Sequence, residues 1–225
     1  MNEIKQTIAI LAIASVLSGA PATVNAQTPQ TLNQQSNFQD YYYQGVQKLK
    51  QGNFNGAIAA FDFVVRLNPK HYEGYCLRGL AKSQLGDFKA AIADFNSALR
   101  LNPNHAEAYN SRGTDYAELG SIQAAIADFN QTLKIDPKFV DAYYNLGLAN
   151  YKLGNHKLAV SNFNSAISIN PNLADAYGNR ALAQYALKDR GSAVEDLQQA
   201  AKLFLQQGNT QSYQKVQSLL QQIKQ

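Results

Sequence analysis

The residue types that most often carry chemistry are scarce in this sequence and form no recognisable motif. The 225 residues include one cysteine, Cys76, and three histidines, His71, His105 and His156. His71 and His105 stand 34 residues apart without a nearby cysteine or patterned carboxylate, whereas a zinc site needs about four ligands close together. We therefore predict no metal ion. Cys76 is predicted to be a buried, apolar-like thiol, with an intermolecular disulfide or a reactive nucleophile as alternatives.

Two classes of function are disfavoured by the sequence. There is no glycine-rich phosphate-binding loop, no nucleophile elbow and no carboxylate pair in a fixed motif. We therefore predict that the protein is not an enzyme and that it uses no cofactor. The net charge is +4, and the lysines and arginines are scattered singly. Because a nucleic-acid-binding surface concentrates such residues in a patch, we expect no nucleic-acid partner.

Three arginines recur with an aspartate at a constant spacing. Arg78, Arg112 and Arg180 are followed sixteen residues later by Asp94, Asp128 and Asp196. At the two matching places without arginine, Gln44 and Leu146, the aspartate is missing too. This joint occurrence predicts an ion pair between two helices, in which the guanidinium can hold the carboxylate through two hydrogen bonds. Recognition of a phosphate or carboxylate ligand by the arginines is the alternative.

The arginines belong to a longer repeat with a period of 34 residues. It is marked by the dipeptides Asn68-Pro69, Asn102-Pro103, Asp136-Pro137 and Asn170-Pro171. Such a period is typical of helical repeat proteins, whose stability comes from stacking one helical hairpin on the next. The sequence predicts five repeats, at residues 38–71, 72–105, 106–139, 140–173 and 174–207.

Each repeat is predicted to hold two helices. Apolar residues recur at helical spacing in both halves, and the first helix ends at Gly52, Gly86, Gly120 and Gly154. The next position can cap the second helix and carries Asn53, Asp87, Ser121, Asn155 and Asp189. Small residues such as Gly147 and Ala159 are predicted to let the paired helices approach, with Phe163 filling the space beside them. The fifth repeat lacks the final proline, so its second helix is expected to continue to Gln207 and stop at Gly208.

The segments outside the repeats differ in composition. Residues 1–26 combine a lysine, an apolar run from Ile8 to Leu17 and a small-residue site ending at Ala26, a pattern typical of a signal peptide. We therefore expect an exported protein (periplasmic, lumenal or secreted) without a transmembrane span after processing; retention of the segment as a membrane tether is the alternative. Residues 27–37 are predicted to be a flexible polar leader, and residues 208–225 a capping helix.

The fourth repeat resembles the signature of the tetratricopeptide repeat in Leu146-Gly147, Tyr151, Ala159, Phe163, Ala166 and Pro171. The resemblance covers residues 38–207. It implies an all-α fold, a right-handed superhelical solenoid of five helix-turn-helix repeats plus the capping helix. It also implies a concave groove, lined by the first helices, that binds a peptide or helical segment of another protein. The expected function is a non-enzymatic protein-interaction scaffold, acting in assembly of an envelope or lumenal complex.

The family's groove can be carried over to particular positions of this sequence. The predicted groove residues are Tyr42, Glu73, Leu80, Glu107, Asn110, Asp141, Tyr144, Leu148, Tyr151, Asp175, Leu182 and Tyr185. The acidic members occupy one position per repeat, where they form an edge of the groove or merely favour a helix N-terminus. The aromatic members provide a large contact area and lose little side-chain conformational entropy when a partner binds. Binding of a small molecule or cell-wall polymer, and self-association through the end of the stack, are the alternative functions.

Overall fold

The computed structural model describes the backbone of residues 29–224 and the side chains of residues 37–223. Within these residues every regular element is an α-helix, as the sequence predicted. The eleven described helices are α1 Pro29–Lys50, α2 Phe54–Leu67, α3 Tyr72–Gln84, α4 Phe88–Leu101, α5 Ala106–Glu118, α6 Ile122–Ile135, α7 Val140–Lys152, α8 His156–Ile169, α9 Ala174–Ala186, α10 Arg190–Gln206 and α11 Thr210–Lys224. The predicted signal peptide lies outside the described residues.

The helices form two compact units. The N-terminal unit ends at Ser121 and holds α1 to α5, and the C-terminal unit begins at Ile122 and holds α6 to α11. In the N-terminal unit α1 packs on α2, α2 on α3, α3 on α4 and α4 on α5. The C-terminal unit repeats this order, with each helix from α6 to α10 packed on the next. Both units are therefore built from helical repeats in tandem.

The turn inside a repeat requires one residue in the left-handed region. Gly52, Gly86, Gly120 and Gly154 have φ between 72° and 84°, which glycine adopts without steric cost. Lys188 occupies the same position in the fifth repeat at φ 68° and is the one non-glycine residue with positive φ in the described chain. A side chain there strains the backbone, because Cβ approaches the following carbonyl oxygen.

The caps that follow these turns are mostly those expected. Asn53, Asp87 and Asp189 each accept a hydrogen bond from the amide three residues further on, which satisfies one of the unpaired N–H groups of the helix start. The prediction is wrong for Asn155, whose side chain makes no cap to α8. Its side-chain amide instead donates to Oδ1 of Asn150 at 3.4 Å, because that buried side chain lies just behind the turn.

The core of each repeat is a phenylalanine or leucine packed against small residues of the partner helix. Phe61, Phe95, Phe129, Phe163 and Leu197 are all at most 1% exposed. A Cβ added to Gly147 would lie 2.6 Å from Cδ1 of Phe163, so the helices cross where only glycine fits. The phenylalanine series is therefore part of the packing, as predicted.

The two ends of the described chain differ from the internal repeats. The structure gives residues 29–37 as part of α1, where the sequence predicted a flexible leader. The helix can start this early because Pro29 occupies its first turn, where the missing N–H costs no hydrogen bond. At the other end, α10 runs to Gln206 and Gly208 follows at φ 72°, as the missing proline predicted. Helix α11 then covers α10 with Val216, Leu220 and Ile223.

None of the helices within residues 29–224 combines the length and hydrophobicity that crossing a bilayer requires.

Candidate functional site

The repeated arginines hold helices together. Nε and Nη2 of Arg78 donate to the two carboxylate oxygens of Asp94 at 2.9 and 2.5 Å. Arg180 holds Asp196 in the same way at 2.6 and 2.5 Å. The predicted two-bond ion pair is thus confirmed in the second and fifth repeats. Arg112 belongs to the N-terminal unit and Asp128 to the C-terminal unit, and their pairing stays a prediction.

Each of these arginines also reaches the preceding repeat, a contact that the sequence reasoning missed. Nη1 donates from Arg78 to Asp62 at 2.7 Å, from Arg112 to Asn96 at 2.6 Å and from Arg180 to Asn164 at 2.6 Å. The acceptor lies sixteen residues before the arginine in every case, so a search in both directions would have found it. Because their donors are engaged inside the fold, Arg78 and Arg180 are structural residues.

Two of the histidines are helix caps. Nδ1 of His71 accepts from the amide of Gly74 at 3.0 Å, and Nδ1 of His105 accepts from the amide of Ala108 at 3.3 Å. Their spacing of one repeat therefore reflects the same role at the start of α3 and of α5. The described residues contain no group of three or more His, Cys, Asp or Glu side chains that could hold a metal ion.

The single cysteine is half-buried. Cys76 packs against the buried cluster around Phe95 and Leu99. Burial, reinforced by the nearby Glu107 and Glu73, raises the pKa of its thiol to about 12. The thiolate that would act as a nucleophile is therefore nearly absent at neutral pH.

In the N-terminal unit, several of the predicted groove residues are partly covered by neighbouring side chains. Tyr42 donates to Oε2 of Glu73 at 3.4 Å, and burial raises the pKa of its hydroxyl. Glu107 lies 3.1 Å from Nδ1 of His105. Leu80 is half-buried. Asn110 is 8% exposed, so it offers little surface to a partner.

In the C-terminal unit, α7 and α9 are neighbouring first helices joined by Tyr144. The hydroxyl of Tyr144 accepts from Nδ2 of Asn179 on α9 at 3.0 Å, and its ring packs on Phe163 with centroids 5.9 Å apart. Tyr151, two turns further along α7, is half-buried and packs near the ring of His156. Both tyrosine side chains are therefore partly covered by neighbouring residues, and only the remainder of each is exposed to a partner.

Three other groove residues provide the open apolar surface of this face. Leu148 is 36% exposed, Tyr185 is 45% exposed, and Leu182 is half-buried. Leu148 lies one turn beyond Tyr144 on α7, and Leu182 and Tyr185 lie one turn apart on α9, so helical spacing places them on the same side as the predicted groove. Gly178 of α9 stands at the position that Tyr144 holds in α7, and a Cβ there would meet no atom within 4 Å. The face thus has a notch at Gly178.

Two aspartates lie on the same helix faces as the apolar residues, one on α7 and one on α9. Asp141 and Asp175 are the second residues of α7 and α9, and both are half-buried. Burial raises the pKa of each carboxyl. Burial first, then the charges of Asp175 and Asp141, raise the pKa of the Tyr144 hydroxyl. Within the described part of the chain, neither aspartate has a cationic side chain in ion-pair contact.

We name the surface formed by Asp141, Leu148, Asp175, Gly178, Leu182 and Tyr185 the α7/α9 face. It combines open apolar side chains with two carboxylates that have no ion-pair partner among the described side chains. Such a mixture can bind a complementary chain, since apolar anchors contribute contact area and the charges select the partner.

Parts of the sequence match models of known protein families. One model described as "Tetratricopeptide repeat" matches residues 72–105 and 140–173, and a second with the same description matches residues 174–207. A model described as "TPR repeat" matches residues 113–154. No curated protein sequence matches this chain.

Solved structures show the same fold. The MamA protein is 27% identical with a TM-score of 0.68, over 78% of this chain and 96% of its own. YrrB, described as a TPR protein with an unusual peptide-binding site, is 20% identical with a TM-score of 0.63, over 79% and 93%. TTC0263, described as a thermophilic TPR protein in Thermus thermophilus, is 16% identical with a TM-score of 0.65, over 81% and 98%.

Proposed function

Because this chain is a tetratricopeptide-repeat protein, we propose that it is a non-enzymatic scaffold that binds a segment of a partner protein on the α7/α9 face. The observation that carries the proposal is the exposure of Leu148 and Tyr185 beside Asp141 and Asp175, on the first helices of two adjacent repeats. Elsewhere the distinctive polar residues serve the fold. The arginines tie helices together, and His71 and His105 cap helices.

The surroundings of this face support a preformed binding surface. Tyr144 is fixed by its hydrogen bond to Asn179 and by its packing on Phe163. A rigid surface loses little conformational entropy when a partner binds, so more of the contact energy appears as affinity. The structural relative YrrB is described as having a peptide-binding site, which is consistent with a segment of chain as the ligand.

We also propose that the protein is exported and that its partner belongs to an envelope or lumenal complex. The support is the composition of residues 1–26, with the apolar run from Ile8 to Leu17 and the small residues before Ala26. Determining the N-terminal residue of the protein purified from its native cells tests this proposal. A first residue at Gln27 would support it, whereas a chain found in the cytosol and still beginning at Met1 would contradict it.

The experiment that tests the binding face is a screen of the purified chain against a peptide library, followed by titration of the hits. The variant Leu148→Ser with Tyr185→Ser is expected to weaken binding of the hits at least about tenfold, since apolar anchors at an interface centre carry most of the affinity. The matched control is Leu158→Ser with Ile169→Ser, because these side chains are 56% and 38% exposed and lie on a second helix, α8.

The control pair is expected to bind the peptides like the unchanged chain. Equal weakening in both pairs would show a non-specific effect of removing surface leucine and tyrosine. Peptides that bind the α7/α9 variant at full strength would contradict the proposed site. Circular dichroism melts of all variants establish that the fold is retained.

One feature bears on the alternative of a small-molecule or glycan ligand. A cleft of about 440 Å³ between α10 and α11 is lined by Gln198, Ala201, Lys202, Leu205, Tyr213, Gln217, Leu220 and Gln221. Its size falls in the range of small-ligand sites, and its amides can donate and accept hydrogen bonds. Titration with a panel of glycan fragments tests this function: binding that Tyr213→Ala abolishes, in a chain that binds no peptide, would favour it over the scaffold.

A further inference from the structure

The notch at Gly178 lies within the acidic part of the α7/α9 face. Asp175 precedes Gly178 by one turn of α9, and Leu182 follows it by one turn, so all three lie along one side of the helix. The equivalent position of α7 is filled by Tyr144, which packs on Phe163. At Gly178 the backbone is uncovered, because no heavy atom approaches the place of a Cβ within 4 Å. A long side chain of a partner can therefore lie across α9 at this point.

The carboxylates beside the notch differ from Glu73 of the N-terminal unit, which accepts hydrogen bonds from Tyr42 and Tyr72. Asp141 and Asp175 are half-buried, and burial raises the pKa of both. Among the described residues, no cationic side chain is in ion-pair contact with either aspartate. A partial loss of hydration is costly for a carboxylate, and a bound cation would reverse that cost.

On these grounds, and resting on the function proposed above, we propose that the partner segment is basic and apolar: it places a lysine or arginine against Asp175 and Asp141 and an aliphatic or aromatic residue on Leu182 and Tyr185. The aliphatic stem of the basic side chain crosses α9 at Gly178, where it is covered by apolar surface, and its charged end reaches the carboxylates. The charge of the face thereby selects among the segments that its apolar residues could hold.

The test compares three labelled peptides of equal length by fluorescence anisotropy with the full chain. One alternates lysine and leucine on one side of a helix, the second replaces each lysine by glutamate, and the third keeps the lysines and replaces each leucine by serine. The first is expected to bind at least about tenfold more tightly than either of the others, because neither charge nor apolar contact is sufficient alone. Its affinity is expected to fall when the salt concentration is raised from about 0.05 M to about 0.3 M.

Three variants locate the interaction. Asp141→Asn with Asp175→Asn is expected to weaken the lysine–leucine peptide at least about tenfold. The control, Asp40→Asn with Glu195→Gln, removes the same net charge at two exposed positions that are not part of the face and is expected to change affinity by less than about twofold. Gly178→Tyr fills the notch where there is room for a side chain, and is expected to weaken the same peptide while the melting temperature is maintained.

The outcomes separate this inference from the proposed function. If the glutamate–leucine peptide binds as well as the lysine–leucine peptide and Leu148→Ser with Tyr185→Ser weakens both, the binding face stands and the basic partner is wrong. Equal effects of the two charge-removing pairs would also overturn the basic partner, since the attraction would then be a property of the whole chain. If library screening yields no peptide whose binding depends on Leu148 and Tyr185, the proposed function itself fails.

Discussion

The ion pair between Arg180 and Asp196 provides a strong test of how the repeats are held together. We predict that Arg180→Met destabilises the protein by about 3 to 5 kcal/mol, the cost of removing one partner of a buried ion pair. The side chain of Asp196 is only 8% exposed, and within the described residues Arg180 is the one cation in contact with it. Truncation therefore leaves a carboxylate that has lost its hydration and its counter-charge.

The magnitude follows from the bonds that are lost. Arg180 donates to the two oxygens of Asp196 at 2.6 and 2.5 Å and to the exposed Asn164 at 2.6 Å. A hydrogen bond to a charged group contributes about 1.5 to 3 kcal/mol, so the two bonds to Asp196 alone reach the predicted range. The third bond is exposed to water and adds little.

Two further variants make the prediction specific. Arg180→Met with Asp196→Asn is expected to recover much of the loss, because the buried charge is then absent. Arg78→Met is expected to cost less than Arg180→Met, since Lys82 still holds Asp94 at 2.8 Å. Urea unfolding followed by circular dichroism measures all of these free energies. If the single and double changes at Arg180 destabilise equally, the carboxylate is not the source of the cost and the reasoning is refuted.

Four other changes test the local structure through thermal or urea unfolding. Lys188→Gly is expected to stabilise the protein by about 1 kcal/mol, because glycine removes the strain at φ 68°; no gain would contradict that strain. Gly147→Ala is expected to destabilise by about 1 to 3 kcal/mol, since its Cβ would press on Phe163, whereas Gly178→Ala has open space and is expected to stabilise by up to about 1 kcal/mol. Burial lowers the pKa of His71, so protonation favours the unfolded chain. The stability linked to His71 is present above its unfolded pKa of about 6.5 and is lost as pH falls through the lower folded value. His71→Asn keeps a cap without titrating and is expected to reduce the loss of stability between pH 7 and pH 5; an unchanged pH dependence would exclude His71 as its source.

The internal repetition of the sequence explains why the helices and ion pairs could be predicted. The two helices of every repeat pack in the same way. Arg78 and Arg180 therefore stand at equivalent positions, where each reaches an aspartate on the partner helix, Asp94 and Asp196. The caps at His71 and His105 were missed because histidine is an uncommon cap, although its Nδ1 can accept a backbone amide as Asn or Asp does. Asn155 shows the opposite error: a residue of the right type makes another bond because Asn150 lies close by.

The exposure of the candidate site residues could not be predicted from the sequence. Helical spacing assigned Asn110, Tyr144 and Tyr185 to the same face of successive helices, but it could not tell how far the neighbouring helices cover each one. The structure places Asn110 in the interior, has Tyr144 bridging two helices and leaves Tyr185 45% exposed. Exposure depends on side chains from other repeats, which are distant in the sequence.

The sequence by itself determined the all-helical repeat, its period, its turns and its recurring ion pair, because these depend on residues close in the chain or on a pattern that is repeated. Only the tertiary structure decided which groove residues are open, that Gly178 leaves a notch, and that Asp141 and Asp175 are half-buried with no described cationic side chain in ion-pair contact. The physical reason is that burial and the balance of charge are set by everything packed around a side chain, whereas helix formation and capping are set largely by its neighbours in the sequence.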